Sequence, residues 1–343
     1  MKGEAAVADE DELLAPPPID LLPWHAAACD RLSHALGSGR LSHGLLLQGP
    51  AGVGKERFAS ALAAALFCTG RGQRLEACGA CAECHLSRAG THPDVHWIRP
   101  LEDKKSIGVD QIREACEQLA MTSMRRGYRV AIVVPADRMT TAAQNALLKT
   151  LEEPAPRTVI VLVTARPSAL LATLRSRSQR IEIARPDPRT ALRWLATALG
   201  GPVPERLLAA AGGAPLKALA LAPHFEGLEQ QMTSLLEAYL DGRIDVTRAA
   251  ADMQGEGLPT RLDWLEAWLG GSVRRNAGIA DENLLTFRPG SPLQRAAAEL
   301  NITAAFQVLE RLREARRLLE GSASAPLVVE TVLLELRAAA RPR

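Results

Sequence analysis

The residues best placed for chemistry are Gly49-Pro50-Ala51-Gly52-Val53-Gly54-Lys55, which follow the apolar run Leu45-Leu46-Leu47 and lead into a helical pattern. Glycines in such a loop let backbone N–H groups face phosphate oxygens, the helix start adds partial positive charge, and the lysine adds a full one. Gly49, Gly52, Gly54 and Lys55 are therefore the candidate nucleotide-binding residues. The next position, where a Ser or Thr hydroxyl would ligate magnesium, is Glu56. A carboxylate there repels phosphate by up to about 4 kcal/mol for unit charges about 4 Å apart at an effective dielectric of about 20, unless it takes the metal itself. The strand at 129–134 runs into Val134-Pro135, where a working ATPase carries Asp-Glu; Asp137 follows two residues later and reads as a turn or helix-capping residue. With both metal-handling positions altered, the loop reads as a phosphate cradle without hydrolysis, in a chain that does not use ATP and magnesium.

A second cluster is made of sulfur. Four of the six cysteines, Cys68, Cys78, Cys81 and Cys84, follow the spacing C-x9-C-x2-C-x2-C. Thiolates three residues apart in a tight turn converge on one ion, and a fourth from a helix end completes the tetrahedron of a structural zinc. All four positions are sulfur, so no coordination site remains for a reactive water; His85 and His92 are alternative ligands. Cys29 and Cys116 stand apart and read as small buried residues.

The elements that must carry these groups alternate between short apolar runs and helical patterns. Strands are expected at 44–48, 95–99, 129–134, 158–164 and 180–184, with helices at 56–68, 110–120 and 141–153 between them. Runs such as Val159-Ile160-Val161-Leu162-Val163 are apolar on both faces, as in a parallel sheet covered by helices on each side. After Pro186 the pattern becomes Ala- and Leu-rich helix, at 189–199 and 205–222, and again to the end at 327–340. Trp264 and Trp268, four apart on one helical face, read as core. Residues 1–18, acidic and closed by Pro16-Pro17-Pro18, read as a flexible tail. A chain of 343 residues, 47% apolar and 23% charged, accommodates two or three globular domains. Its net charge of +2 provides no global reason for stand-alone binding to nucleic acid; Arg125-Arg126 with Arg129, and Lys104-Lys105, are small basic clusters without interleaved aromatics. No apolar stretch is long enough to span a bilayer and no basic segment leads into an apolar one at the start, so a cytoplasmic location without membrane contact is expected.

Two further strings carry a resemblance. Asn145-Ala146-Leu147-Leu148-Lys149-Thr150-Leu151-Glu152-Glu153-Pro154 resembles a helix shared by the AAA+ subunits of bacterial DNA polymerase III clamp loaders, and Gly90-Thr91-His92-Pro93-Asp94 resembles the delta-prime branch of that family. The resemblance implies an α/β P-loop (AAA+) domain at 19–185 with a zinc module at 68–84, a small helical lid at 186–226, and an all-α collar domain at 227–343. It also implies a five-subunit ring with gamma/tau and delta subunits, and contact with the sliding clamp and primer–template DNA through that complex. A Ser-Arg-Cys motif in the family presents an arginine finger to the neighbouring subunit's ATP. Here it is matched by Ser176-Arg177-Ser178, making Arg177 the candidate finger, with Arg175 the nearest competitor. Thr164 corresponds approximately to the sensor threonine of active relatives, and Leu216 stands where they carry a sensing arginine. Two other readings stay open: an active clamp-loader ATPase with unconventional metal ligands, and a zinc-containing DNA-binding protein.

Overall fold

The computed structural model describes residues 17–125, 127–255, 257–278, 292–319, 321 and 323–340. The chain divides into two compact units, Met1–Arg185 and Pro186–Arg343. In the first, five parallel strands, β1 (Gly44–Gln48), β2 (Val95–Ile98), β3 (Arg129–Val133), β4 (Thr158–Thr164) and β5 (Gln179–Glu182), form one sheet in the order β2-β3-β4-β1-β5. β1 lies inside the sheet, with Leu46 beside Leu162 of β4 and Arg180 of β5.

Side chains alternate across a strand, so a doubly covered sheet feeds two cores at once. Val159, Val161 and Val163 of β4 join Leu45 and Leu47 of β1 in one apolar cluster, while Ile160 and Leu162 join Leu46 in the other. The first cluster is completed by helices α1 (Ala26–Gly37) and α2 (Lys55–Phe67), through Leu32, Phe58 and Leu62. A short helix α3 (Ala82–Arg88) precedes β2; α4 (Val109–Ala120), α5 (Thr141–Glu152) and α6 (Ala172–Arg177) supply the second cluster, through Ile112, Leu147 and Leu174. Thr140 caps α5, its hydroxyl accepting from the Ala143 amide at 3.2 Å, and the helix stops before Pro154.

The expected strands and long helices of this unit are present, with β5 displaced slightly to 179–182; α1, α3 and α6 were not anticipated from the sequence. Residues 1–16 of the expected tail lie outside the described residues. Its last part is engaged: the Ser60 hydroxyl donates to the Pro17 carbonyl at 2.7 Å.

The second unit is helical: α7 (Pro188–Leu199), α8 (Glu205–Ala210), α9 (Pro215–Leu221), α10 (Phe225–Leu240), α11 (Val246–Asp252), α12 (Leu258–Asn276), α13 (Pro292–Ala298), α14 (Ile302–Leu319) and α15 (Ala325–Ala339). The division expected at 226/227 falls inside α10, and one apolar cluster runs from Ala191 to Ala339, so the lid and collar segments share a core. Trp264 and Trp268 are fully buried in that core, and the Tyr239 hydroxyl donates to the Leu333 carbonyl at 2.9 Å.

Candidate functional site

The loop between β1 and α2 keeps the backbone of a phosphate cradle. Gly54 has φ +84°, and a Cβ there would lie 2.5 Å from Leu22 Cδ1; at Gly49 it would lie 2.1 Å from the Ile183 carbonyl oxygen. The groups that should act on a nucleotide are turned elsewhere. Lys55 is buried, 8% exposed as a residue, and its ammonium donates to the Pro50 carbonyl of its own loop at 2.6 Å. Glu56 pairs with Arg99 at 3.0 Å, and the Arg99 guanidinium also lies over the Trp97 ring.

Asp137 is neither a free carboxylate nor a helix cap. Its Oδ1 accepts from the Thr164 hydroxyl at 2.6 Å, and its Oδ2 accepts from Arg166 Nε at 3.0 Å and Nη2 at 2.8 Å. Asp137 lies in a single 3-10 turn, Ala136–Arg138, as the turn reading expects, but it caps no helix: parallel pairing brings the ends of β3 and β4 side by side, and the first acidic group past β3 meets Thr164 and the arginine just beyond it. The carboxylates nearest the two metal-handling positions are thus both engaged, Glu56 by Arg99 and Asp137 by Thr164 and Arg166.

A segment before α1 closes on the same loop. Trp24 Nε1 donates to the Val53 carbonyl at 2.9 Å, and His25 Nε2 lies 3.3 Å from the same oxygen. The Leu22 amide donates to His25 Nδ1 at 3.2 Å, so Nδ1 is unprotonated and Nε2 carries the proton toward Val53. Burial pushes His25 down from 6.5 to about 4, against the Val53 hydrogen bond and with help from the Arg57 charge. Sequence reasoning missed this clamp, because nothing in the spacing of Trp24 and His25 marks Val53 as their partner.

The four cysteines of the sulfur motif come together, their Sγ atoms all within 4.8 Å of one another. Cys78–Cys84 and Cys68–Cys81 are 3.9 Å apart, and Cys81–Cys84 3.5 Å. Sulfurs bonded to one tetrahedral zinc at about 2.3 Å stand about 3.8 Å apart, so the cluster fits that ion. The Cys78 amide donates to Cys68 Sγ at 3.2 Å, the contact a thiolate needs. Burial opposes ionisation of Cys81, but the Cys84 amide and Thr69 outweigh it and hold the thiol at about 5; burial, then the neighbouring Cys81, pushes Cys84 up to about 12.

His92 is not a ligand. Its Nδ1 accepts from the Asp94 amide at 3.2 Å, its Nε2 faces Glu83 Oε2 at 3.2 Å, and its ring lies against Phe67. Glu83 also pairs with Arg125 at 2.6 Å. Buried Asp94 accepts from the Ser123 hydroxyl and the Met124 and Arg125 amides at 2.9 to 3.0 Å. His92 and Asp94 therefore join the sulfur module to the edge strand and the loop before β3. The basic cluster is dispersed: Arg125 is paired, Arg129 is buried with Nη2 donating to the Pro156 carbonyl at 3.1 Å, and Arg126 lies outside the described residues.

Arg177 is the last residue of α6 and is exposed, whereas Arg175 is half-buried. The Ser178 hydroxyl, buried, donates to the Leu174 carbonyl at 2.9 Å, so serine is accommodated where the family carries cysteine. In the second unit Leu216 is half-buried on α9 beside Lys217, which pairs with Asp263 at 3.2 Å. Among the described residues no helix is long and apolar enough to cross a membrane.

Residues 24–187 match the sequence profile of a family described as DNA polymerase III, delta subunit. The chain is 37% identical over 271 residues to the DNA polymerase III subunit delta′ of Pseudomonas aeruginosa, covering 77% of this chain and 81% of that one. It is 37% identical over 264 residues to the Escherichia coli K12 subunit of the same name, covering 75% of this chain and 78% of that one. Superposition on a DNA polymerase III gamma subunit-related protein from Thermotoga maritima has a TM-score of 0.45 at 19% identity, over 92% of this chain and 100% of that one, a likeness too low to support an argument.

Proposed function

We propose that this chain, which belongs to the DNA polymerase III delta-prime subunit family, is a non-hydrolysing subunit of a replicative clamp loader that lends Arg177 to a neighbouring ATPase subunit. The carrying observation is that the phosphate cradle keeps its backbone while each acidic or basic group that would run the reaction has another partner: Lys55 with Pro50, Glu56 with Arg99, Asp137 with Thr164 and Arg166. Arg177 sits exposed on a helix end, and its pair with Glu152 is made at Nε, behind the fork. Its charge is permanent, and its planar fork suits phosphate oxygens as charge builds on them during transfer.

The rest of the reading follows from that role. Cys68, Cys78, Cys81 and Cys84 hold a structural zinc, which supplies cross-linking and no chemistry on substrate. Partners are gamma/tau and delta subunits in a five-subunit ring in the cytoplasm, acting on the sliding clamp and primed DNA through that ring. Support for a contact surface on the helical unit comes from exposed Phe306 on α14 and exposed Leu327 and Leu334 on α15.

The test is a ring reconstituted with Arg177→Ala, assayed for DNA-stimulated ATP hydrolysis. A loss of about a thousandfold at the adjoining site is expected, and an unchanged rate removes the finger. Magnesium-dependent hydrolysis by the isolated chain, abolished by Lys55→Ala, would establish an active ATPase in its place.

A further inference from the structure

The six-residue helix that ends in Arg177 is too short to hold its own shape, and one other helix grips it at both ends. We propose that Glu152 and Gln144 of α5 are positioning residues for the arginine finger, Glu152 acting on the guanidinium and Gln144 on the helix start. This rests on the reading of Arg177 given above.

At the start of α6, the Leu171 amide donates to Gln144 Oε1 at 2.8 Å. Gln144 is buried, and its Nε2 donates to the Met139 carbonyl at 3.2 Å, so both ends of the carboxamide are engaged and its orientation is set. At the other end, Glu152 Oε1 lies 2.7 Å from Arg177 Nε. The shortest approach of Glu152 is to Nε, behind the terminal nitrogens that would meet a phosphate; Nη1 makes a long contact to the Thr173 carbonyl, at 3.5 Å. There is little slack between these points. A Cβ on Gly44, the first residue of β1, would lie 2.8 Å from Leu151 Cδ2 and 3.2 Å from the Arg177 carbonyl oxygen.

The position of Glu152 argues against a role in helix stability. A carboxylate as the last residue of a helix opposes the macrodipole, where a cation would be favoured. The pair is also half-exposed, with 41% and 49% of the two side chains accessible, so it adds little to folding. What it does fix is direction: a long, rotamer-rich arginine is held with its fork ahead of the helix end, lowering the ordering cost when a phosphate arrives.

The experiment uses the five-subunit ring with primed DNA and clamp, comparing Glu152→Ala, Glu152→Gln, Arg177→Ala and the Glu152→Ala/Arg177→Ala double variant. Both kcat and KM for ATP are measured, together with the melting temperature of each isolated chain. A finger acts in the transition state, so Glu152→Ala lowers kcat about three- to fivefold with KM changed less than about twofold. Glu152→Gln, which retains an acceptor for Nε, stays closer to the parent. The double variant turns over like Arg177→Ala, and the melting temperatures of the Glu152 variants are unchanged. For Gln144, Gln144→Ala raises deuterium uptake at 171–177 in the isolated chain. A Glu152→Ala ring with parental kcat beside an impaired Arg177→Ala ring overturns the role of Glu152 alone, as do losses that multiply in the double variant. Unchanged uptake in Gln144→Ala overturns the role of Gln144. An Arg177→Ala ring with parental turnover overturns the finger and its positioning together.

Discussion

Acidification should loosen the phosphate loop through one histidine. His25 is fully buried and unprotonated, with its folded value lowered to about 4 from an ordinary 6.5. The unfolded chain binds the proton first as pH falls, so the contribution is present above about pH 6.5 and is lost progressively toward about pH 4. Integrating the difference in proton uptake between about pH 7 and about pH 4.5 gives about 2.5 kcal/mol. Glutamine at this position keeps an N–H donor toward the Val53 carbonyl and does not titrate. Comparing parent and His25→Gln therefore isolates the effect, even though burial also lowers His92 and His96 in the same unit. The readout is deuterium uptake of peptides covering 44–67, converted to opening free energy at both pH values. Parent protein should lose about 2 to 3 kcal/mol more than His25→Gln over this interval. A difference under about 0.5 kcal/mol, or an imidazole titrating near 6.5 by NMR, would refute the reasoning.

Metal analysis of freshly purified protein should find about one zinc per chain, and Cys84→Ser should abolish that stoichiometry and lower the melting temperature. Asp94→Ala leaves two amides and a hydroxyl without their acceptor and should destabilise the first unit by about 3 kcal/mol, with the earliest exchange at 121–127, read by urea titration and hydrogen exchange. Glu56→Thr restores the expected magnesium hydroxyl yet should yield no ATP hydrolysis, because Asp137 remains bound to Thr164 and Arg166; turnover in a phosphate-release assay would show that one position alone had silenced the site.

Local signals read true where a pattern has one physical cause. The doubly apolar run at 158–164 means a covered strand, and each alternate residue feeds a different core. The C-x9-C-x2-C-x2-C spacing likewise brings four sulfurs together because a turn and a helix end leave them little choice. What stayed hidden depends on partners distant in sequence. Asp137 reads as a cap until β3 and β4 lie side by side; His92 reads as a spare ligand until Glu83 and Asp94 meet it. Helix α6 was overlooked because six residues carry too little periodicity to stand out, although Arg177 at its end was picked from the resemblance. The course of the backbone at the expected 226/227 boundary was hidden for a related reason: α10 passes through Gly227 with Phe225 and Met232 buried on either side.

Helix α2 starts at Lys55 and gives way at Cys68 to the sulfur cluster, a span of about 20 Å at about 1.5 Å per residue. One extremity meets the four-cysteine cluster, and the other is clasped by Trp24 and His25 sharing a single carbonyl. A beam pinned so differently at its two ends cannot shift at one without straining the other. Release of the proposed zinc at one end is therefore expected to be felt at the phosphate loop on the other, which ties the shape of that loop to the state of four distant sulfurs.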